Sequence, residues 1–504
     1  AGGRGMKNLL FLPLIIPLAA AVLGLLAWKQ RRFQRWAGIV STLLLTLVGA
    51  VILAEVQQHG IITAQAGNWP APFGITLVAD LFSSLMLLAT GVMGLCVTIY
   101  SLADAEQHQE SVGYHPLLQV LLLGVCGSFL TGDLFNLYVW FEVMLIASFV
   151  LLALGGQREQ MEGAIKYVAL NLIASALLLA GIGLLYGVTG TLNMAHLALR
   201  MQELVHTGTI PVIAALLFCA FSIKAAVFPF YFWLPASYHT PPIAVVTIFS
   251  ALLSKVGIYV LIRVFTLIFP QEALAGQPLI LTAAGLTMLF GALGAVAQPE
   301  LRRLLAFCVI SQIGYLLMGL GVFTSLALAG SIFFMLHIMA AKSALFLTIG
   351  VVARKAGTSW LPELGGLYQR FPLLAVLFLL PALSVAGIPP LSGFWGKLAL
   401  VQAGLQAEQY LIVAAALGVS VLTLYYLVNA WIQLFWKPRP ADTPELRPLT
   451  TLRRRQLLGP ALVLALFSVL LGLLPEPLFQ LCSAAAEQLL QPQSYIEAVL
   501  GIIR

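Results

Sequence analysis

The sequence contains few charged residues: Asp, Glu, Lys and Arg make up 9% of its 504 residues, whereas hydrophobic residues make up 61%. Ordinary globular domains contain roughly 25% charged residues, so this chain has too few ionisable groups to build a water-soluble surface. The composition therefore excludes a soluble enzyme, a nucleic-acid-binding protein and a secreted disulfide scaffold. The formal net charge of +7 comes mostly from a few loops between apolar segments.

Cysteine is also scarce, and the sequence contains no CxxC pair. The five cysteines lie in or beside apolar stretches, where cysteine behaves as a small core residue; they are Cys96, Cys126, Cys219, Cys308 and Cys482. Neither a metal centre nor a disulfide framework is indicated. Motifs for flavin, iron–sulfur cluster or nucleotide binding are missing as well, so we expect no cofactor and no redox chemistry in this chain.

Long apolar runs dominate the rest of the sequence. Runs such as 11–28, 43–54 and 461–474 approach the roughly 20 helical residues that cross the hydrocarbon core of a bilayer. Hydropathy and helix breakers predict about fourteen membrane-spanning helices. Their predicted limits are 8–28, 37–56, 79–101, 115–131, 134–154, 162–187, 210–236, 242–269, 278–297, 303–322, 326–352, 372–402, 408–436 and 457–479. The chain is therefore predicted to be an all-α polytopic membrane protein.

The basic residues between these spans are distributed unevenly. Sixteen of them lie in loops on one predicted side, and the other side has only Arg4, Lys7, Arg200 and Arg504. Because cytoplasmic loops carry the excess of Lys and Arg, both termini are predicted to face outward. The segment 191–208 and the tail after residue 479 are predicted to be short amphipathic helices at the surface.

Six basic residues fall inside the predicted spans. Lys166 and Arg263 lie near span ends, where long side chains reach the membrane interface, and we interpret them first as interface anchors. Asp80 and Asp133 lie at span edges and are predicted to be helix caps or interface residues. The deeper charges belong to Glu142, Lys224, Lys255, Lys342 and Lys397.

These five deep charges are expensive to keep. At ~2.5–3.5 kcal/mol each, they cost roughly 12–18 kcal/mol, comparable with or larger than the ~5–15 kcal/mol net stability of a whole protein. We therefore interpret them as an ion or proton path, with buried structural pairs as the alternative. Four lysines face one glutamate, and burial disfavours a charged amine. Some of these lysines are expected to exchange protons at physiological pH, unless a partner subunit supplies the missing carboxylates.

Histidine titrates in this pH range without help, which makes His337 a further relay candidate in the same span as Lys342. A separation of five residues turns two side chains about 140° apart on an ideal helix. The two are therefore expected to face different neighbours unless that helix is irregular. His239, Lys166 and Asp133 are secondary relay candidates.

Prolines lie beside two of the deep lysines. Pro229 and Pro235 follow Lys224, and the GIPP sequence at 387–390 precedes Lys397. Proline cannot donate a hydrogen bond to the carbonyl four residues back, and the carbonyls freed in this way are those of Ala225, Val385 and Ala386. Helices broken at matching places in two halves are typical of inverted-repeat transporters with a site near the membrane midplane, so we expect hydrated cavities at both breaks.

Several motifs together resemble one family. The sequence GDLFNLYVWFE at 132–142 resembles the signature of the antiporter-like subunits that are shared by respiratory complex I, membrane-bound hydrogenases and Mrp-type cation/proton antiporters. Five further segments resemble that family's seventh, eighth, tenth, eleventh and twelfth helices; they are 224–235, 254–257, 303–315, 337–342 and 387–397. The similarity covers about residues 75–435, and within the family the chain looks most like a subunit of the Mrp-type antiporters.

The resemblance implies a particular organisation. It consists of an N-terminal three-helix segment (6–114), two inverted five-helix repeats made of spans 4–8 and 9–13 (115–269 and 278–436), and a last span with an amphipathic tail (457–504). Helices 7 and 12 are expected to be broken.

It also implies roles for the relay residues. Glu142 and Lys224 would form the ion pair of the first half, and Lys255 would be the central connector. His337 and Lys342 would lead into the second half, where Lys397 would be the terminal gate.

These features predict a proton-translocating subunit, not an enzyme in itself, of a multisubunit Na⁺(K⁺)/H⁺ antiporter in the cytoplasmic (inner) membrane of a prokaryote. Its expected partners are other membrane subunits, protons and Na⁺ or K⁺. One alternative is a proton-pumping membrane subunit of a redox-driven complex, either an NADH:quinone oxidoreductase or a membrane-bound hydrogenase. An inactive membrane scaffold is another. No cluster of acidic or carbonyl ligands inside the spans points to a dedicated cation site, so we expect the cation path elsewhere in the complex.

Overall fold

The computed structural model describes residues 8–204, 208–269, 277–440, 446, 448 and 450–501. Three of the basic residues on the predicted outer side lie outside the described residues; they are Arg4, Lys7 and Arg504. Positions 205–207 of the predicted amphipathic segment also lie outside them. Within the described residues the chain is built almost entirely from helices, because only a helix satisfies its backbone hydrogen bonds inside one apolar segment.

The N-terminal part up to the first break contains nine helices and one β-hairpin among the described residues. The helices are α1 (Leu12–Leu26), α2 (Arg31–His59), α3 (Leu81–Asp104), α4 (Gln107–Ser111), α5 (Tyr114–Leu130), α6 (Leu134–Ala153), α7 (Arg158–Thr189), α8 (Met194–Leu204) and α9 (Ile210–Ala225). The hairpin pairs β1 (Ile62–Gln65) antiparallel with β2 (Thr76–Ala79), so that Ile62 faces Ala79. This hairpin was not predicted from the sequence.

The remaining described helices continue the bundle. They are α10 (Trp233–Ser237), α11 (Ile243–Ile248), α12 (Ser254–Leu267), α13 (Gln277–Val296), α14 (Leu301–Val322), α15 (Ser325–Ala356), α16 (Leu367–Arg370), α17 (Pro372–Ala386), α18 (Ser392–Gln406), α19 (Tyr410–Trp431), α20 (Thr451–Leu473), α21 (Glu476–Leu490) and α22 (Gln493–Leu500). Single turns of π-helix follow α11 and α19, at Phe249–Leu253 and Ile432–Trp436.

Every predicted span overlaps at least one of these helices. Among the described residues, eleven segments are long and apolar enough to cross a membrane, and α1, α5 and α17 are shorter apolar helices. The prediction of an all-α polytopic membrane protein is confirmed. The number of crossings, the domain limits and the two inverted repeats stay predictions.

The interior of the bundle is formed by two elements whose apolar windows are entirely buried, α15 and the continuous segment from α11 to α12. The relay candidates Lys255, His337 and Lys342 all lie on these elements. These three residues therefore lie at the centre of the molecule, where other helices enclose them.

Both predicted helix breaks are present. At the first, α9 ends at Ala225, Ala226 takes a left-handed conformation with φ of 59°, and the indole of Trp233 donates to the Ile223 carbonyl over 2.9 Å. At the second, α17 ends at Ala386 and Gly387 has φ of 91°, which a side chain would disfavour.

The C-terminal part differs in detail from the prediction. The last long helix is α20 (Thr451–Leu473), not 457–479, because Pro475 begins a new helix. The amphipathic helix α21 that follows packs its apolar face against α15. The side chain of Gln488 accepts a hydrogen bond from the Leu81 amide over 3.1 Å. The tail therefore covers one end of the bundle.

Candidate functional site

The first half of the candidate site joins three helices. Glu142 on α6 accepts a hydrogen bond from the hydroxyl of Ser175 on α7. Lys224, near the end of α9, donates to the same hydroxyl over 3.1 Å. The two charged groups are not within ion-pair distance, so the expected direct Glu142–Lys224 pair is replaced by a serine bridge.

Lys224 is positioned by the helix break that follows it. Its side chain is only 5% exposed, and its ammonium lies 4.8 Å from the centre of the Phe141 ring, a cation–π contact. A small cavity lined by Tyr167, Asn171 and Trp233 adjoins it. Aromatic faces and polar groups thus surround the amine where lipid would otherwise disfavour its charge.

Lys255 is the most deeply buried amine, with no exposed surface. It follows the π-helical turn Phe249–Leu253, which departs from the regular backbone hydrogen-bonding pattern. Its ammonium donates to the Ser250 carbonyl over 2.5 Å and to the Ser254 hydroxyl over 3.3 Å. A carbonyl and a hydroxyl therefore solvate this lysine without a counter-charge.

His337 and Lys342 lie on an uninterrupted helix and face different neighbours, as their spacing predicts. Nδ1 of His337 lies 2.8 Å from the Ser392 hydroxyl of α18. Lys342 has no nitrogen or oxygen hydrogen-bond partner among the described residues, and it interacts electrostatically with Cys308 and with Lys255. Lys342 on α15 thus lies near residues of two other helices, Cys308 on α14 and Lys255 on α12.

Lys397 in the second half is bonded to neutral partners. Its ammonium donates to the Ala386 carbonyl over 3.2 Å and to the Ser420 hydroxyl over 3.1 Å. It also lies 4.5 Å from the centre of the Tyr315 ring. The contact with Ala386 confirms that the break in the twelfth span frees a carbonyl for polar interactions, as the prolines predict.

Buried polar atoms without a hydrogen-bond partner also occur on the helices that carry or adjoin the row of relay residues Lys224, Lys255, His337, Lys342 and Lys397. Among the described residues they include Oγ of Ser222, Ser311 and Ser343, both amide atoms of Gln312, Nε2 of His337 and Nζ of Lys342. Buried polar groups are nearly always hydrogen-bonded to protein or to ordered water. Such atoms favour internal water beside them.

The secondary candidates lie away from this row. Lys166 forms an exposed ion pair with Glu162 and lines a cavity of about 1000 Å³ together with His239. Burial and the neighbouring Arg303 lower the pKa of His239 to about 4. The ring of His239 lies 3.0 Å from the Pro235 carbonyl and 2.9 Å from Arg303. Asp133 caps α6 by accepting from the Asn136 amide.

Arg263 is not the interface anchor that its position in the sequence suggests. Its guanidinium forms a 2.6 Å ion pair with Asp80, and both side chains are buried. Three aromatic rings surround it, those of Phe82, Tyr259 and Tyr495. Asp80 is a helix cap as predicted, since it accepts from the Ser83 amide, but the sequence analysis missed its pairing with a residue of α12.

The hydroxyl groups that connect the charged residues were also not predicted from the sequence. Ser175 and Ser420 each accept a hydrogen bond from a relay lysine. Serine lowers the hydropathy of a span only slightly, so these residues gave no signal of their own. Ser175 also lies on an unbroken helix, so no nearby helix break indicated a polar site there.

The chain has clear relatives. Residues 131–423 match the family described as "NADH:quinone oxidoreductase/Mrp antiporter, TM". The chain belongs to this family. The matched region includes every residue of the candidate relay from Glu142 to Lys397.

Individual members of the family are similar over nearly their whole length. The D subunit of the Na(+)/H(+) antiporter of Alkalihalophilus pseudofirmus is 43% identical, over 98% of this chain and 100% of the relative. A chain in the structure of the Mrp complex from Dietzia sp. DQ12-45-1b is 33% identical with a TM-score of 0.92, covering 98% and 100% of the two chains. A chain of the membrane-bound sulfane sulfur reductase, an archaeal respiratory membrane complex, is 28% identical with a TM-score of 0.90, covering 99% and 100%.

Proposed function

We propose that this chain is the proton-translocating subunit of a multisubunit Na⁺(K⁺)/H⁺ antiporter in the inner membrane of a prokaryote. The proton path runs through Glu142, Lys224, Lys255, Lys342, His337 and Lys397. The observation that carries this proposal is the row of buried amines, each of which meets hydroxyls, carbonyls, a thiol or ring faces and none of which directly contacts a carboxylate of the described residues. An amine in such surroundings can lose and regain its proton without breaking a direct ion pair.

The serine bridge between Glu142 and Lys224 is the coupling element of the first half. The Ser175 hydroxyl donates to the carboxylate while it accepts from the ammonium. If Lys224 loses its proton, the partly buried carboxylate of Glu142 loses the positive charge that it reaches through Ser175. The protonation states of the two residues are therefore linked although they do not touch.

Electrostatic repulsion between protonated groups transmits a change in protonation along the row. Lys342 interacts with Lys255 on one side and with His337 and Lys397 on the other. Like charges in a low-dielectric interior disfavour one another over several ångströms. A proton that arrives on one of these groups therefore favours release from its neighbour, which moves charge through the centre of the molecule.

The relatives favour the antiporter over the redox-driven alternative. The full-length relative at 43% identity is named for Na⁺/H⁺ antiport, whereas the similar chain from a respiratory complex is 28% identical. The partners would then be the other membrane subunits of an Mrp-type complex. We assign the cation path to those subunits, because the lysines of this row repel Na⁺ whenever they are protonated.

Replacement of Glu142 by Gln tests the proposal. The measurement is the sodium-dependent pH change in vesicles that contain the whole complex, and Glu142→Gln is expected to abolish it. Glu203→Gln is the matched control, since this glutamate is 70% exposed and pairs with Arg200 on the surface. Unchanged flux in Glu142→Gln would refute the linked-pair mechanism. A pH change that requires a redox substrate in place of sodium would favour the redox-driven alternative.

A further inference from the structure

Three serine side chains from three helices meet beside His337. Ser384 lies near the end of α17, Ser392 begins α18 and Ser468 lies on α20. Their hydroxyl oxygens are 3.0 Å apart for Ser384 and Ser392, 3.0 Å for Ser392 and Ser468, and 3.2 Å for Ser384 and Ser468. All three residues are 0–1% exposed. We call this group the serine triangle.

The serine triangle is connected to the relay at one corner. The Ser392 hydroxyl is 2.8 Å from Nδ1 of His337, and Nε2 of the same ring has no partner among the described residues. A side-chain carbon added at Gly393 would lie 2.8 Å from Nε2, so this nitrogen faces the backbone at the start of α18. The charged groups that act on the ring are Lys397 and Lys342.

The number of hydroxyl protons limits how this cluster can be bonded. Each serine has one proton to donate, and no backbone carbonyl accepts from any of the three among the described residues. A closed triangle uses all three protons, so the contact with His337 must then be donated by Nδ1. If Nδ1 carried no proton, Ser392 would have to donate to it, and the triangle would lose one hydrogen bond.

We infer that the serine triangle holds neutral His337 in the tautomer with its proton on Nδ1, so that Nε2 is the free base that accepts the relayed proton. This inference rests on the proposed function of the row. A proton that arrives on Nε2 leaves the Nδ1–H bond to Ser392 and the whole triangle unchanged. The hydroxyls are thus arranged in advance for both charge states of the ring, which lowers the reorganisation that accompanies proton transfer.

Ser468 is the positioning residue that this inference adds. Among the described residues it forms no hydrogen bond with His337 or a lysine, and it acts through Ser392. It also lies on α20, outside the region 131–423 that matches the family. Without its hydroxyl the triangle cannot close, so the preference for the Nδ1–H tautomer is expected to weaken.

Ser468→Ala and Ser468→Thr in the whole complex test this role, with Ser128→Ala as the matched control. Ser128 is equally buried but bonds to the Gly124 carbonyl of its own helix. Ser468→Ala is expected to lower sodium-dependent proton flux about fivefold, the effect of one hydrogen bond. Ser468→Thr keeps the hydroxyl and is expected to stay within about twofold of the parent, as is Ser128→Ala.

A second measurement does not depend on transport. In complex labelled with ¹⁵N-histidine, the ring nitrogens of His337, assigned with His337→Gln, are expected to show a protonated Nδ1 and a bare Nε2. Ser468→Ala is expected to show a mixture of tautomers. A bare Nδ1 in the parent protein, or an unchanged tautomer in Ser468→Ala, overturns the inference. Loss of flux in Glu142→Gln combined with parental flux in Ser468→Ala overturns the inference alone and leaves the proposed function standing.

Discussion

Charged side chains at the two ends of the bundle are paired differently from those in its middle. At one end, Arg263 contacts Asp80 directly over 2.6 Å. At the other, Arg35 contacts Glu110 over 2.8 Å, and His115 lies 3.1 Å from the same carboxylate. In the middle, the amines meet serine hydroxyls, backbone carbonyls and ring faces.

This difference separates charges that hold the fold together from charges that can move. A buried ion pair in direct contact is strongly destabilised by removal of either partner, so both of its members stay ionised. A hydroxyl or carbonyl accepts from an ammonium but carries no charge of its own. The amine it solvates can therefore change its protonation state at a lower cost.

The largest expected effect concerns the ion pair between Asp80 and Arg263. Asp80→Asn keeps a side chain that caps α3 but leaves the Arg263 guanidinium buried without a counter-charge. We expect a loss of about 3–5 kcal/mol in unfolding free energy, measured as a lower Tm of the purified protein. Asp133→Asn is the control, because Asp133 also caps a helix by accepting from the Asn136 amide and forms no ion pair among the described residues. Equal losses in the two variants would contradict the comparison.

The next effect concerns transport. Lys224→Ala removes the positive charge that Glu142 reaches through Ser175 and is expected to reduce sodium-dependent proton flux by about 100-fold. Assembly should be retained, since no direct ion pair holds Lys224 among the described residues. Lys166→Ala changes a lysine whose side chain is 52% exposed and should transport normally. If Lys224→Ala prevents assembly instead, Lys224 belongs with the structural charges.

A smaller effect is expected from the hydroxyls that solvate Lys224 and Lys397. Ser175→Ala breaks the link between Glu142 and Lys224 and should lower flux about tenfold. Ser420→Ala should lower it only about threefold, because Lys397 keeps its contacts with a backbone carbonyl and an aromatic ring. Flux measurements on both variants in the same vesicles decide the order. A larger loss of flux in Ser420→Ala than in Ser175→Ala would contradict the expected order.

The smallest effect is a pH dependence of stability that arises from Glu110, at the end of the bundle opposite Asp80. Burial alone would raise the pKa of Glu110, but its bonds to His115 and Arg35 outweigh burial and lower the pKa to about 2. Since this lies below the ~4.3 of an unfolded glutamate, the stabilisation is present above that value and is lost as pH falls towards 2. Glu110→Gln should therefore flatten the dependence of Tm on pH in this window. Glu106→Gln, an exposed neighbour, should keep the parental slope.

Much of the fold was predictable because it depends on local properties. The helices follow from the length of apolar runs, and the breaks after Ala225 and Ala386 follow from nearby prolines and glycine. The family was recognisable from motifs that the match to residues 131–423 confirms. The roles of the relay residues stay predictions.

The sequence alone determined that Lys224, Lys255, Lys342 and Lys397 are buried, because hydropathy and the cost of burying an ionised group act residue by residue. Only the tertiary structure decided which groups meet. Arg263 pairs with Asp80, Ser175 bridges Glu142 and Lys224, and Ser468 closes the serine triangle. Each of these contacts depends on how two helices are rotated and shifted against each other. A hydroxyl changes the hydropathy of its own span too little to reveal its partner on a distant one.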